Sequence, residues 1–275
     1  MKIPRLPLTA SPSSVGLTFQ DISFNSRVDH VSLKGWFLPA KSDSVILIVN
    51  GGFQNRVDPL ADTLDLSRDL VQKGYNVLLF DLRGRGESSG AGRSLSNIDK
   101  DIGGAVDYLN SRGYLDTKIG IIGFCSGAAS ACIFSSENNV GALVLDGCFT
   151  SVSGMVHNQA ATRGIPQPAV DVFLPAVQLA ARVFYSYQPL NPIDVVNRIQ
   201  CPIFFIHEQD DDLVLTKDDI ALKNKAGDPS DLFWQVNDTT HSRAYPTHPA
   251  EYVSRIDDFF RAALRPTTPA RPSIP

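Results

Sequence analysis

Residues able to carry out nucleophilic acyl chemistry stand far apart in this chain: a cysteine at 125, aspartates at 210, 211 and 212, and a histidine at 241. Cys125 lies in Ile119-Gly-Ile-Ile-Gly-Phe-Cys-Ser-Gly-Ala-Ala129, where a short apolar strand runs into a Gly-x-Cys-x-Gly turn. Small residues suited to a helix follow. Such a turn strains the backbone of its central residue and presents that side chain above the sheet. The flanking Gly123 and Gly127 let strand and helix approach closely. A thiol held there becomes a nucleophile once a base takes its proton and a third group orients the base. The competing readings are a buried or vestigial thiol and, more weakly, a redox-sensing one.

His241 lies in the polar loop Asn237-Asp-Thr-Thr-His-Ser242, between an apolar strand and the C-terminal helix, and is the favoured base. His248 reads better as the start of that helix, because Pro249 and Glu251 suit its first turn. His30, His157 and His207 are placed less well, His207 at a strand end where it orients backbone or loop. The three aspartates follow the strand Ile203–Ile206, at the end where open parallel sheets place their sites. Residue pattern alone leaves all three open as the orienting acid. An oxyanion requires two backbone donors: the N–H of Ser126, and one from the loop Asn50-Gly51-Gly52-Phe53, with Gly52 favoured over Phe53.

The elements that must position these groups follow from hydrophobic pattern. Opening strands are predicted around Val15–Phe24 and Val28–Leu38. The fully apolar run at 45–49 and the largely apolar segments 76–80, 119–122, 140–145 and 202–206 suit strands covered on both faces. Between them, Leu60, Leu64, Leu66, Leu70 and Val71 form one helical stripe, and Ile98, Ile102, Val106 and Leu109 another. The segment Asp81-Leu-Arg-Gly-Arg-Gly-Glu-Ser-Ser-Gly90 reads as a rigid loop. It is no phosphate loop, since it follows a later strand than the first βα unit of a nucleotide fold would use. This alternation predicts an α/β fold, a mostly parallel sheet with helices on both faces. The expected organisation is an N-terminal arm over 1–14 and one domain over 15–265. Within the domain, 151–200 is a proline-broken helical insertion roofing the pocket, and 266–275 is a disordered tail.

The chain has 275 residues, 43% hydrophobic and 20% charged, enough for one substantial core. A net charge of −4 without a basic run excludes a nucleic-acid surface. No window is apolar enough for a membrane span, and the start lacks a secretory signal, so a cytoplasmic location is expected. Cys132, Cys148 and Cys201 show neither disulfide density nor a CxxC knuckle and read as reduced, shielded core residues. The sequence does not specify oligomeric state.

Taken together, these motifs resemble the α/β-hydrolases, in particular the small esterase-like and peptidase-like group with a short cap. The likeness runs from Gly35-Trp-Phe-Leu-Pro39 to Phe260. It rests on Asp81–Ser88, Gly123-Phe-Cys-Ser-Gly127 and His241-Ser-Arg-Ala-Tyr-Pro-Thr-His-Pro249. The resemblance places the nucleophile on Cys125, the acid on Asp211, the base on His241 and the oxyanion segment from Asn50-Gly51, in the chain order nucleophile, acid, histidine. Cys125 stands where serine is usual, giving a Cys-His-Asp arrangement like that of dienelactone hydrolases. Asn50 stands where histidine is usual, and Glu208 where glycine is usual. The resemblance implies hydrolysis of a small ester, lactone or thioester, with a small-molecule acyl substrate, no metal and no cofactor. The alternative is an inactive relative that binds an acyl or apolar ligand.

Overall fold

The computed structural model of the protein describes residues 5–90, 97–185 and 191–264. Eight strands form one sheet in the order β1-β2-β4-β3-β5-β6-β7-β8. They are β1 (Gln20–Asn25), β2 (Ser32–Leu38), β3 (Val45–Val49), β4 (Asn76–Phe80), β5 (Ile119–Phe124), β6 (Ala142–Asp146), β7 (Ile203–Glu208) and β8 (Leu232–Val236). The β1/β2 and β2/β4 pairs are antiparallel, and every later pair is parallel. The mostly parallel sheet predicted from the apolar runs is therefore present.

Helices cover both faces. Alternate residues of the central strands separate onto two cores, as the two-residue period of a strand requires. Leu47, Leu78, Ile121, Leu143 and Phe205 face α2 (Ile98–Ser111), α3 (Ser126–Ser135) and α7 (Thr216–Ala226). Ile46, Leu79, Ile122, Val144 and Ile206 face α1 (Thr63–Gln72) and α9 (Pro249–Ala263). Full burial on both sides is why these strands read as continuous apolar runs.

Differences from expectation concentrate at the start. Pro12–Val15 form a 3-10 turn ended by Gly16 at φ 77°, so β1 begins at Gln20 rather than Val15. Val15 and Leu17 instead pack as partly buried anchors on the α1/α9 core. Val28 and His30 have φ of 72° and 53°, and the Ser26 amide closes the turn on the Val31 carbonyl, so β2 starts at Ser32. Leu60 precedes α1; the buried part of its stripe is Leu64, Leu66 and Leu70.

Of the 1–14 segment, residues 5–14 are described. Arg5 donates to the Ser88 and Gly90 carbonyls, and Asn55 donates to the carbonyls of Leu6 and Pro7. The 266–275 tail lies outside the described residues, as does Tyr187. Within 151–200 the described elements are α4 (Val152–Thr162), α5 (Gln167–Tyr185) and α6 (Pro192–Val195). Ser151 caps α4 by accepting from the Gly154 amide at 3.0 Å. Val172, Phe173, Val177 and Leu179 of α5 are exposed. α8 (Ala244–Thr247) is a single turn leading into α9.

Candidate active site

Cys125 stands alone between β5 and α3 with φ 51° and ψ −117°, a conformation that L-residues adopt only under constraint. The constraint is visible on both sides. Its amide donates to the Asp146 carbonyl at 2.9 Å, and its carbonyl accepts from Ala129 at 3.1 Å as α3 begins. The neighbouring glycines are sterically required. A Cβ on Gly123 would come within 2.6 Å of Ala128 Cα, and one on Gly127 within 2.2 Å of the Val49 carbonyl oxygen. Gly51 closes the third side, where a Cβ would reach 2.5 Å from the Phe124 carbonyl oxygen. The thiol remains partly exposed at the carboxyl end of the sheet.

The parallel order β5-β6-β7-β8 brings the loops after β7 and β8 to that same end. Asp211, in the loop after β7, accepts from the Leu213 and Val214 amides through Oδ1, at 2.8 and 2.9 Å. Its Oδ2 lies 2.6 Å from His241 Nδ1. Two backbone donors thus aim one carboxylate oxygen at the ring. Asp210 and Asp212 are exposed, and His241 pairs with neither. The other ring nitrogen, Nε2, is buried without a hydrogen-bond partner of ordinary geometry among the described residues. Burial disfavours the His241 cation, but the bond to Asp211 and the adjacent Cys125 thiol outweigh it and raise the pKa to about 11. Cys125, His241 and Asp211 are thus neighbours in space.

The loop after β3 lies on the opposite side of Cys125. Asn50 ties it together by donating from Nδ2 to the Asn55 carbonyl at 2.7 Å. Gly52 has φ 54°, and its carbonyl accepts twice from the buried Arg85 guanidinium, at 3.0 and 2.7 Å. The Asp81–Gly90 loop thereby clamps the glycine loop. The Gly52 amide, expected to face an oxyanion, donates to Ser126 Oγ at 2.7 Å. The side chain of the following residue, Phe53, is exposed.

Two of the other histidines have structural partners. His207 is buried, bridging Asp219 and Thr216 at 2.8 Å each. His248 occupies the position before α9, its Nε2 3.2 Å from the Asn237 carbonyl. Cys132 and Cys148 are buried, while Cys201 is partly exposed, short of the full shielding expected of it. Cys201 lines a 470 Å³ cavity with Leu115, Thr117, Ser135 and Val140, at the amino ends of β5, β6 and β7 and away from Cys125.

Sequence reasoning missed one group. Asp146, at the end of β6, is buried beside Glu208 of β7, and Tyr252 of α9 donates to it at 2.9 Å. The available signal was a carboxylate closing an otherwise apolar strand run. Glu208, Asp211 and His241 each offer a ligand atom within 4.8 Å of one another. His241 Nδ1 is engaged by Asp211.

A family profile described as alpha/beta hydrolase fold matches residues 44–169. The chain is 27% identical over 244 residues to the uncharacterized protein YqkD of Bacillus subtilis (strain 168), covering 82% of this chain and 74% of that one. Among solved structures it is similar to the Pyrococcus furiosus esterase Pf2001, with a TM-score of 0.81 and 23% identity over 96% of this chain and 98% of that one. It is also similar to the esterase RhEst1 from Rhodococcus sp. ECU1013, with a TM-score of 0.63 and 14% identity over 88% and 99% of the two chains.

Proposed function

We propose that this chain, which has the α/β-hydrolase fold, hydrolyses small carboxylic esters, activated esters, lactones and thioesters included, through a covalent intermediate on Cys125. The observation that carries this reading is the strained, partly exposed Cys125 beside a histidine whose far nitrogen is held 2.6 Å from a buried, doubly bonded aspartate. The esterases among its structural relatives agree with it.

In the first step Cys125 Sγ, its proton given up to His241 Nε2, bonds to the substrate carbonyl carbon. Asp211 keeps the ring's Nδ1–H pointing away from the thiol and stabilises the imidazolium. Negative charge gathers on the carbonyl oxygen, beside the Ser126 amide and, once the Ser126 hydroxyl turns aside, the Gly52 amide. The bond to the leaving oxygen or sulfur breaks as that atom takes the proton from His241. Water then attacks the thioester acyl-enzyme and gives its proton to His241. The bond from carbon to Sγ breaks as the carboxylic acid departs, which restores the starting Cys125–His241 pair. A thiolate suits substrates with good leaving groups, so peptide hydrolysis is the weaker expectation. Residues 151–200 are assigned as the short cap over this site. None of the steps calls on a metal or an organic cofactor.

The test is a panel of aryl esters and thioesters, with intact-protein mass spectrometry to detect the acyl adduct. Turnover and adduct should both vanish in Cys125→Ala while the fold persists. Turnover that survives this substitution would refute the mechanism. A folded wild-type protein that turns over nothing in the panel yet binds the same acyl compounds would favour the inactive, ligand-binding reading.

A further inference from the structure

Behind the Asp211–His241 bond, two more carboxyl groups are enclosed with too few donors between them. Asp146 and Glu208 end the adjacent strands β6 and β7, and each is 0% exposed. The Tyr252 hydroxyl satisfies Asp146 Oδ2, but Asp146 Oδ1 and both oxygens of Glu208 meet no donor among the described residues. The two carboxyl groups lie within hydrogen-bonding reach of each other. Fully ionised, they would repel one another and leave three buried oxygens unsatisfied. A single shared proton bridges two of these three oxygens, one from each residue, and removes the repulsion. The pair also borders the base: a Cβ on Gly147 would stand 3.1 Å from His241 Cε1, 3.2 Å from its Nδ1 and 3.5 Å from Glu208 Oε2.

We propose that Asp146 and Glu208 form a one-proton acid pair whose remaining negative charge holds His241 as imidazolium, so that Cys125 rests as the thiolate. The proton that leaves Cys125 Sγ resides on His241 Nε2; no other bond changes. A serine nucleophile would gain nothing from a resting imidazolium, because its alkoxide is far too basic to persist. A cysteine gains its reactive form directly. The groups facing this cluster are Asp211 from the loop after β7, Asp219 from α7 with its partner His207, Tyr252 from α9 with Tyr245 of α8 against its ring, Cys125 at the elbow, and Asp58 from the segment after β3. Burial raises Asp146 to about 6 and, with repulsion from Asp146, carries Glu208 well above its ordinary value. Both directions agree with a retained proton. Asp146 and Glu208 touch no reacting atom and act as positioning residues through His241.

This inference rests on the Cys125–His241 pairing proposed above, and the experiment separates the two. Iodoacetamide alkylation of Cys125 is followed by peptide mass spectrometry from pH 5.5 to 9 in wild type, His241→Ala and the double variant Asp146→Asn/Glu208→Gln. Wild type should alkylate rapidly even at pH 6. The double variant should be at least about 10-fold slower there and approach the wild-type rate at pH 9. A double variant with the wild-type ratio of rates at pH 6 and pH 9 would overturn the acid pair alone. A His241→Ala profile identical to wild type would overturn the Cys-His pairing, and the acid-pair role with it. Should the double variant not fold, infrared difference spectroscopy of the wild type decides. A protonated carboxyl absorption should persist at pH 7.5 and disappear in Glu208→Gln; its absence from wild type would overturn the shared proton.

Discussion

At the scale of single residues, the least expected feature is the Ser126 hydroxyl sitting on the Gly52 amide. Sequence pattern assigns Ser126 a role through its backbone N–H alone, and gives no view of a side chain bonding to a loop 74 positions earlier. The Gly51 carbonyl, in the same planar peptide unit as that amide, meanwhile accepts from the Gln54 amide at 3.3 Å, so the amide is oriented with or without the hydroxyl. Ser126→Ala should therefore free that donor without collapsing the loop. Ester turnover is expected to stay within about 3-fold of wild type or to rise, with a stability loss of about 1 kcal/mol for the missing hydrogen bond. Steady-state kinetics with chemical denaturation checks both parts. Turnover slowed by about two orders of magnitude or more would mean that the hydroxyl itself stabilises the oxyanion.

At the scale of elements, the elbow is held by strand and helix backbones too close for any side chain between them. This much was legible, because Gly123 and Gly127 bracket the cysteine at the only spacing that serves a strand-turn-helix junction. What the pattern did not disclose is the ranking of glycines. Gly127→Ala would push a Cβ to 2.2 Å from the Val49 carbonyl oxygen, a backbone atom at the carboxyl end of the central strand β3. It should cost at least about 3 kcal/mol or prevent folding. Gly113, with φ 94° and open space around it, should tolerate alanine at about 1–2 kcal/mol, the cost of left-handed geometry alone. Urea unfolding of the two variants tests the order. Equal losses would show that the elbow backbone gives way more readily than its contacts imply.

At the scale of the whole molecule, an unusual share of charge is buried. Burial is the leading cause that raises Asp81 and Asp146 to about 6 and Asp219 to about 7, against an unfolded value of 3.8. Below about pH 4 these groups are protonated in both states and bear no penalty. As pH climbs from there through their folded values, the folded state must ionise enclosed carboxyl groups that the unfolded chain ionises freely, so stability falls. His241 acts in the same direction: its folded value near 11 exceeds the unfolded 6.5, and the stability it contributes is lost across that interval as pH rises. Asp29 and Asp43 are shifted downward and matter only in stronger acid. Calorimetry at constant low ionic strength should therefore show Tm falling by at least about 3 °C from pH 5.5 to pH 8. A Tm that rises over this range would contradict the burial of these acids.

The sequence by itself determined the sheet of apolar strands, the glycine-bracketed turn around Cys125 and the loops bearing Asp211 and His241. Each is written in a run of a few residues, where strand period, turn geometry and helix stripe act locally. The tertiary structure decided which of three adjacent aspartates meets the ring, because two backbone amides of its own loop aim Asp211 there while its neighbours face solvent. It also decided that Asp146 and Glu208 share one enclosure with Tyr252, which lies 106 positions beyond Asp146. Such meetings follow from strand order and helix packing, and no local spacing encodes them.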